Sequence, residues 1–277
     1  MGKFDNCLLA SDIDGTLVAS NYLNPKNIVK IKEFIKEGGK FALSTGRAMQ
    51  ATKTVVNSLK GISIAPSVLI NGGMIYDFNA DKPLYDVSLP DSDKETVKRV
   101  FDFDKSYGIE IHSGGKAFTV NRTSETDLHQ SYEEFDAPII TYEEALKYSW
   151  NKAIFFCNDE KHRENVANFI NIKKYSSNFV STCAIIDKKM RFYYEQLPDD
   201  ISKYITLKRL CDILNIKKGG FFAIGDYFND LEMIENSDIG AATADSPDEV
   251  KSKAQFVSCA CKDGAVADFI DYLFNKV

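Results

Sequence analysis

The stretch CLLASDIDGT, residues 7–16, decides the fold, because a short apolar run ends there on two acids. The run at 7–10 does not alternate with polar residues, which predicts a strand buried on both faces, as in a parallel sheet. Asp12 and Asp14 follow at once, and Gly15 permits a tight turn. Two carboxylates just past a buried strand can face one point in space, so this strand end is a candidate site.

The same pattern recurs along the chain and predicts a doubly wound parallel sheet. Apolar runs at 41–43, 68–70 and 221–224 each end on polar residues, and amphipathic helical segments separate them. Asn24 and Pro25 give the first helix its N-cap and first residue. Strands that alternate with helices indicate an α/β fold, whose sites form at the carboxyl edge of the sheet.

The middle of the chain differs from its two ends in its pattern of charged residues, strands and helices. Residues 86–187 contain charged helical segments, short strands and all three histidines. We therefore expect a separate α+β domain over 86–187, inserted into a core that comprises residues 1–85 and 188–277.

Composition and charge argue against several classes of protein. The 277 residues carry a formal net charge of −6, which argues against a nucleic-acid partner because a nucleic-acid backbone requires a basic face. No apolar run is long enough to span a bilayer, and the first residues lack the features of a signal peptide. The six cysteines form no C-x-x-C pair. We expect a cytoplasmic enzyme without a membrane partner.

Asp12 and Asp14 suit phosphoryl transfer. One carboxylate can attack phosphorus as a nucleophile, and the other can protonate the leaving oxygen and then activate water. An anionic nucleophile approaches an anionic phosphate only with a cation nearby, and carboxylate oxygens are ligands of Mg²⁺. An acidic turn or a helix cap is the structural alternative for this motif.

Three further polar segments complete the candidate site. Thr45 and Gly46 offer a hydroxyl and a backbone N–H to a phosphate oxygen, with Ser44 as an alternative hydroxyl. Lys203 can neutralise the nucleophile and the phosphate together. The last segment supplies two acids for the magnesium site and one amide for the phosphate, namely Asp226, Asp230 and Asn229. Helix caps would explain the first and last of these segments alone, and a solvated surface charge would explain Lys203. The shared position of the polar clusters at strand ends favours one site.

The order DIDGTL, STGR, Lys203 and GDYFND resembles the haloacid dehalogenase-like superfamily, and the last part of the chain is similar to its Cof-type phosphatases. The resemblance implies a Rossmann-like core, with Asp12 as the nucleophile and Asp14 as the acid/base. It also implies that Asp12, the backbone carbonyl of Asp14 and the GDYFND aspartates hold magnesium. The insert then corresponds to a large α/β cap that selects the substrate.

The sequence thus predicts a Mg-dependent phosphatase of small phosphorylated metabolites that works through an aspartyl-phosphate. Its metal residues would be Asp12, Asp14, Asp226 and Asp230, and its phosphate-binding residues Thr45, Gly46, Lys203 and Asn229. A sugar phosphomutase and a non-catalytic phosphosugar-binding regulator are the alternatives. The sequence identifies neither the substrate nor the oligomeric state.

Overall fold

The computed structural model describes residues 2–59, 61–186 and 188–277. The strands are β1 (Leu8–Ser11), β2 (Val18–Ala19), β3 (Tyr22–Leu23), β4 (Lys40–Leu43), β5 (Ser67–Leu69), β6 (Met74–Asp77), β7 (Lys82–Asp86), β8 (Gly108–Ser113), β9 (Lys116–Asn121), β10 (Lys152–Cys157), β11 (Asn178–Ile186), β12 (Lys189–Leu197), β13 (Phe221–Gly225), β14 (Ile239–Ala242) and β15 (Phe256–Val257).

The α-helices are α1 (Pro25–Lys36), α2 (Met49–Ser58), α3 (Glu95–Phe103), α4 (Ser124–Glu133), α5 (Tyr142–Ala145), α6 (Glu160–Phe169), α7 (Lys203–Ile213), α8 (Leu231–Asn236), α9 (Asp248–Lys251) and α10 (Cys261–Lys276). Single turns of 3₁₀ helix cover Ile70–Gly72, Asp91–Lys94, Ile172–Lys174 and Phe228–Asp230.

The chain divides into two compact units. The first comprises Met1–Arg47, Val55–Tyr85 and Ser202–Val277, and the second comprises Ala48–Thr54 and Asp86–Ile201. Helix α2 therefore contributes its first half to the second unit and its second half to the first.

A five-stranded parallel sheet forms the centre of the first unit, in the order β15-β14-β13-β1-β4. Ser11, the last residue of β1, pairs with Leu43 on one side and with Ile224 on the other. The chain leaves β1 towards β4 and later returns on the opposite side through β13, so β1 marks the switch point of the sheet. The predicted α/β fold with a parallel sheet is confirmed.

Helix α1 shows how local sequence signals produce this core. The side chain of Asn24 accepts a hydrogen bond from the backbone N–H of Lys26, and Pro25 is the first helical residue. The buried face of the helix includes Ile31 and Phe34. Phe34 packs against Phe4 with ring centroids 4.6 Å apart, within a cluster of buried apolar residues that includes strand residues of the sheet. Burying each such side chain contributes roughly 1.5–3 kcal/mol.

The second unit is built on an antiparallel sheet in the order β11-β12-β10-β8-β9. Residues 86–187 all belong to this unit, but β12 (Lys189–Leu197), which the prediction gave to the core, also belongs to it. This part of the prediction was wrong, because β12 pairs along its length with β11 and on its other side with β10. The first charged helical segment of this unit is a 3₁₀ turn, Asp91–Lys94, followed by α3, which ends at Phe103.

A search of the described residues for membrane-spanning segments finds no helix with both the length and the apolar character that crossing a bilayer demands.

A buried ion pair joins α4 to β8 in the second unit. His129 Nδ1 lies 3.1 Å from Glu110 Oε2, and Gln130 Nε2 donates to Glu110 Oε1 at 2.6 Å. Glu133 lies 3.4 Å from the other ring nitrogen of His129, and His112 lies 4.0 Å from Glu110. Burial disfavours both charges, but the attraction outweighs it, so the pKa of Glu110 falls to about 2 and the pKa of His129 rises to about 10.

We expect this pair to make the stability of the second unit depend on pH. Below pH 6.5 both folded and unfolded chains protonate His129, so its contribution is complete there and is lost as the pH rises towards 10. The contribution of Glu110 is complete above pH 4.5 and is lost as the pH falls towards 2. The free energy of unfolding should therefore fall by about 2 kcal/mol or more between pH 6.5 and pH 9.

Urea unfolding followed by tryptophan fluorescence measures this loss, because Trp150 is the one tryptophan of the sequence and lies fully buried in the second unit. The variant His129→Gln removes the titrating ring and should flatten the decline. An alkaline decline that is equally steep in His129→Gln would assign it to other groups.

Candidate active site

The parallel ladder brings three chain segments together at the carboxyl edge of the sheet. The backbone N–H of Asp12 donates to Ile224 O at 3.0 Å, and that of Ser44 donates to Ser11 O at 2.8 Å. The residues that follow β1, β4 and β13 therefore leave the sheet side by side.

Asp12, Asp226 and Asp230 form a cluster of carboxylates there. One oxygen from each lies within 4.8 Å of those from the other two. Oδ1 of Asp12 accepts a hydrogen bond from Lys203, whereas Oδ2 of Asp12 receives none from any described residue. One carboxylate oxygen of Asp12 is thus bound by Lys203, and the other has no hydrogen-bond donor among the described residues.

Lys203 neutralises part of this charge. Its Nζ lies 2.6 Å from Oδ1 of Asp12 and 2.6 Å from Oδ1 of Asp230, and the side chain is 1% exposed. Helix α7 begins at Lys203, with the side chain of Ser202 as its N-cap. Burial alone would favour the neutral amine, but Asp12 and Asp230 outweigh it and hold the pKa of Lys203 above its ordinary value. The ammonium is therefore a fixed positive charge.

Asp230 fixes the loop that carries Asp226. Its Oδ2 accepts from the backbone N–H groups of Asp226 at 3.0 Å and Tyr227 at 3.2 Å, while its Oδ1 is bound to Lys203. Both of its oxygens are thus engaged by donors. Asp226 takes one hydrogen bond at Oδ1, from the hydroxyl of Thr16 at 3.0 Å. Asp226 is therefore better placed than Asp230 to bind a cation directly.

Gly15 leaves space for the Asp226 carboxylate. Its φ of +82° is in the left-handed region, and a Cβ added there would overlap both Oδ2 and the carboxyl carbon of Asp226. The glycine therefore serves the turn and also the close approach of β1 and β13 loops.

The donor set fits a divalent cation. Three clustered carboxylates face one ammonium, which leaves an excess of negative charge in a buried place. Burial and the repulsion from neighbouring carboxylates raise the pKa of Asp226, and burial raises the pKa of Asp12 although Lys203 opposes that shift. Carboxylate oxygens are the ligands that hard cations such as Mg²⁺ prefer.

Asp14 lies outside this cluster of described residues. Its carboxylate accepts two hydrogen bonds from the Arg47 guanidinium, from Nε at 2.8 Å and from Nη2 at 2.6 Å. The side chain is 41% exposed, in contrast to that of Asp12, which is 8% exposed. The structure thus gives the two aspartates of the first motif different surroundings.

Thr45 and Asn229 lie in loops of the same edge. The hydroxyl oxygen of Thr45 accepts from the backbone N–H of Arg47 at 3.1 Å, which leaves its proton available to donate. Ser44, the alternative, has a buried hydroxyl without a partner among the described residues. Asn229 Nδ2 donates to Asn71 Oδ1 at 3.3 Å, and a Cβ on Gly46 would lie 3.1 Å from that same oxygen.

The loop after β5 is fastened to the start of α7. The backbone N–H of Asn71 donates to Thr45 O at 3.0 Å, and Thr206 Oγ1 donates to Gly72 O at 2.8 Å. Gly72 has a φ of +106°, and any side chain there would overlap the backbone carbonyl of Ser202. The two backbones are therefore in direct contact.

The sequence pattern of haloacid dehalogenase-like hydrolases matches residues 9–270. The chain belongs to this family. The phosphatase YwtE of Bacillus subtilis, which acts on 5-amino-6-(5-phospho-D-ribitylamino)uracil, is 26% identical to this hydrolase over 96% of this chain and 98% of its own.

Two solved structures have the same fold. A haloacid dehalogenase-like hydrolase from Bacteroides thetaiotaomicron superposes with a TM-score of 0.83 at 19% identity, over 98% of this chain and 100% of that one. A sugar phosphatase of subclass IIB gives a TM-score of 0.78 at 17% identity, over 97% and 99%. The predicted family and the enzyme class, a phosphoric monoester hydrolase, are confirmed.

Sequence reasoning missed three contacts of this hydrolase. It gave neither Arg47 nor Asn71 a role. It also did not predict that the Thr16 hydroxyl donates to the Asp226 carboxylate, a strong acceptor that lies within reach. The signal available for Arg47 was its position in the STGR motif, directly after the candidate residues Thr45 and Gly46.

We expect Gly15→Ala to weaken the binding of divalent cations by this hydrolase at least tenfold, because the added methyl group displaces the Asp226 carboxylate. Titration calorimetry with Mg²⁺ measures the change. The control is Gly219→Ala, whose φ of +79° gives similar backbone strain but which has no atom within 4 Å of the added Cβ. Equal weakening in both variants would show that strain is the cause.

Proposed function

We propose that this hydrolase is a Mg-dependent phosphatase that cleaves monoesters of small phosphorylated metabolites through an aspartyl-phosphate on Asp12. The observation that carries the proposal is the pair of contacts made by Lys203. The ammonium holds Oδ1 of Asp12 at 2.6 Å and leaves Oδ2 without a donor among the described residues. A carboxylate fixed through one oxygen presents the other for attack.

The cluster supports a magnesium site made by Asp12 and Asp226, with Asp230 holding the Asp226 loop. The backbone carbonyl of Asp14, a ligand that the family resemblance implies, would join them. A bound Mg²⁺ ion supplies the positive charge that lets a carboxylate approach phosphoryl oxygens. Lys203 supplies a second, permanent charge on the same side, because the pKa of its ammonium stays high.

Asp14 suits the acid/base role in this proposal. Its carboxylate is more exposed than that of Asp12 and lies outside the cluster, so it can approach the leaving oxygen. In the first step Oδ2 of Asp12 bonds to phosphorus while Asp14 gives a proton to the departing alkoxide. In the second step Asp14 takes a proton from water, whose oxygen displaces the carboxylate of Asp12 and releases inorganic phosphate.

The transferred phosphoryl group needs donors as its charge spreads over three oxygens. Thr45 offers a hydroxyl proton, Gly46 a backbone N–H and Asn229 an amide, and all three follow strands at one edge of the sheet. Lys203 completes this set. We assign these four residues to phosphate binding.

The proposed substrate is a small phosphorylated metabolite such as a sugar phosphate. Among the relatives, one is a sugar phosphatase and another removes phosphate from a phosphoribityl compound. Both names describe a phosphate on a polyhydroxylated carbon chain. The proposed location is the cytoplasm, and substrate selection by the second unit, the predicted cap, stays a prediction.

We expect Asp12→Asn to abolish phosphate release, by a factor on the order of 10⁴ or more, because the amide cannot form the acyl phosphate. The amide oxygen still accepts a hydrogen bond from Lys203, so the melting temperature should change little. The control Asp248→Asn makes the same change at a side chain that is 98% exposed.

Acid quenching with a ³²P-labelled hexose phosphate tests the intermediate directly. Label should remain on the wild-type protein, should be released by hydroxylamine, and should be absent from Asp12→Asn. Product analysis in the same experiment separates the alternatives: a mutase isomerises the sugar phosphate and releases little phosphate, and a regulator binds it without turnover. Either result would overturn the phosphatase proposal.

We expect EDTA to silence phosphate release and added Mg²⁺ to restore it, because the cluster keeps its excess negative charge without a cation. Steady-state assays with p-nitrophenyl phosphate across a range of Mg²⁺ concentrations measure the effect. The protein should stay folded in EDTA, as judged by circular dichroism, since Lys203 continues to bridge Asp12 and Asp230. Full turnover in EDTA would refute the metal requirement.

A further inference from the structure

Arg47 and Asp14 form an ion pair of forked geometry. Nε of Arg47 donates to Oδ2 of Asp14 at 2.8 Å, and Nη2 donates to Oδ1 at 2.6 Å. Two parallel charge-assisted bonds fix the plane and the direction of a carboxylate, which a single bond does not. The arginine is 4% exposed, so the cation is the buried and immobile member of the pair.

The backbone of Arg47 is itself held at both of its polar groups. Its N–H donates to Thr45 Oγ1 at 3.1 Å, and its carbonyl oxygen accepts from the N–H of Ile70 at 3.1 Å. These contacts tie Arg47 to the loop after β4 and to the end of β5. The position of the guanidinium is therefore set by the fold and does not depend on a bound substrate.

Without the contact to Arg47, the Asp14 carboxylate could move towards the Asp12–Asp226–Asp230 cluster. Asp14 is two residues from Asp12, whose carboxylate is bound by Lys203, a buried cation that also binds Asp230. A cation bound by the cluster would attract Asp14 as well. Drawn inward, Asp14 would compete for ligand positions and leave the exposed side, where a leaving group departs.

We propose that Arg47 is a positioning residue that holds the Asp14 carboxylate outside the Asp12–Asp226–Asp230 cluster, facing the leaving oxygen of the substrate. This inference rests on the proposed phosphatase function. It assigns Arg47 no contact with the phosphoryl group, so its effect on turnover passes through Asp14 alone.

Two substrates of different leaving group test this role. An alkyl phosphate such as glycerol phosphate releases a poor leaving group that needs a proton, whereas p-nitrophenyl phosphate releases a good one that needs little help. Arg47→Gln should slow the first step, measured as release of the alcohol or phenol in a single turnover, by roughly 10²-fold for the alkyl phosphate and by much less for the aryl phosphate, because only the alkoxide needs the proton. KM should change little for either.

A double-mutant cycle decides whether Arg47 acts through Asp14. In an Asp14→Asn background, with p-nitrophenyl phosphate, adding Arg47→Gln should cause no further loss of kcat. A loss that multiplies with that of Asp14→Asn, or a KM that rises equally for both substrates, would mean that Arg47 binds the phosphoryl group itself, and would overturn the proposal.

The conservative variant Arg47→Lys separates geometry from charge. A lysine keeps the positive charge but cannot form two parallel hydrogen bonds to one carboxylate. We therefore expect Arg47→Lys to retain more alkyl-phosphate activity than Arg47→Gln, but less than the wild type. Complete recovery would show that orientation by two bonds is not required and would refute the positioning role. Unchanged melting temperatures in both Arg47 variants exclude a loss that reflects unfolding.

The pairing also has a readout that does not depend on turnover. The side-chain Nε–H resonance of Arg47, seen by ¹H–¹⁵N spectroscopy of the full chain, should shift when Asp14 is replaced by Asn. An unchanged resonance would show that Arg47 and Asp14 do not form this ion pair in solution. It would overturn the inference even if the wild-type enzyme hydrolyses phosphate monoesters. A shift in a chain without phosphatase activity would refute the proposed function and leave the pairing intact.

Discussion

The candidate active site depends on one buried ammonium. Lys203 lies between Asp12 and Asp230 at 2.6 Å from each, and the three residues come from segments that are far apart in sequence. Three carboxylates could not stay close together in a buried place without it, because each unpaired buried charge costs several kcal/mol. Helix α7 delivers the lysine by packing Leu207 and Leu210 against the strands that carry the aspartates. The packing of the core therefore also positions the lysine of the candidate site.

The sequence was sufficient to predict the parts of the site that follow from the sheet. Apolar runs that end on polar residues predicted the strands. Because β1 pairs in parallel with β4 and β13, Asp12, Thr45 and Asp226 then lie at the same edge of the sheet. Lys203 was harder, since a lysine at a helix start is usually a solvated charge. Its place among the other candidate segments, together with the resemblance to the family, favoured a role for it, and the structure shows it buried.

Other features depended on tertiary contacts that the sequence does not encode locally. Arg47 is the last residue of the STGR motif, in which the sequence analysis considered Ser44, Thr45 and Gly46. The partner of Arg47, Asp14, is 33 residues earlier in the chain. The boundary near residue 187 was misplaced because the sequence analysis did not assign Lys189–Leu197 to a strand of the second unit. Its pairing with β11 and β10 decides its unit, and pairing partners cannot be read from one strand.

The contact between Gly72 and Ser202 gives the site a mechanical property. Two backbones touch there, and the adjacent residues of the chain are Asn71 on one side and Lys203 on the other. The Thr206 hydroxyl, which donates to the Gly72 carbonyl, holds the same junction. A side chain larger than hydrogen at residue 72 would push apart the two segments that carry Asn71 and Lys203, so the distance between this amide and this ammonium depends on the absence of one methyl group.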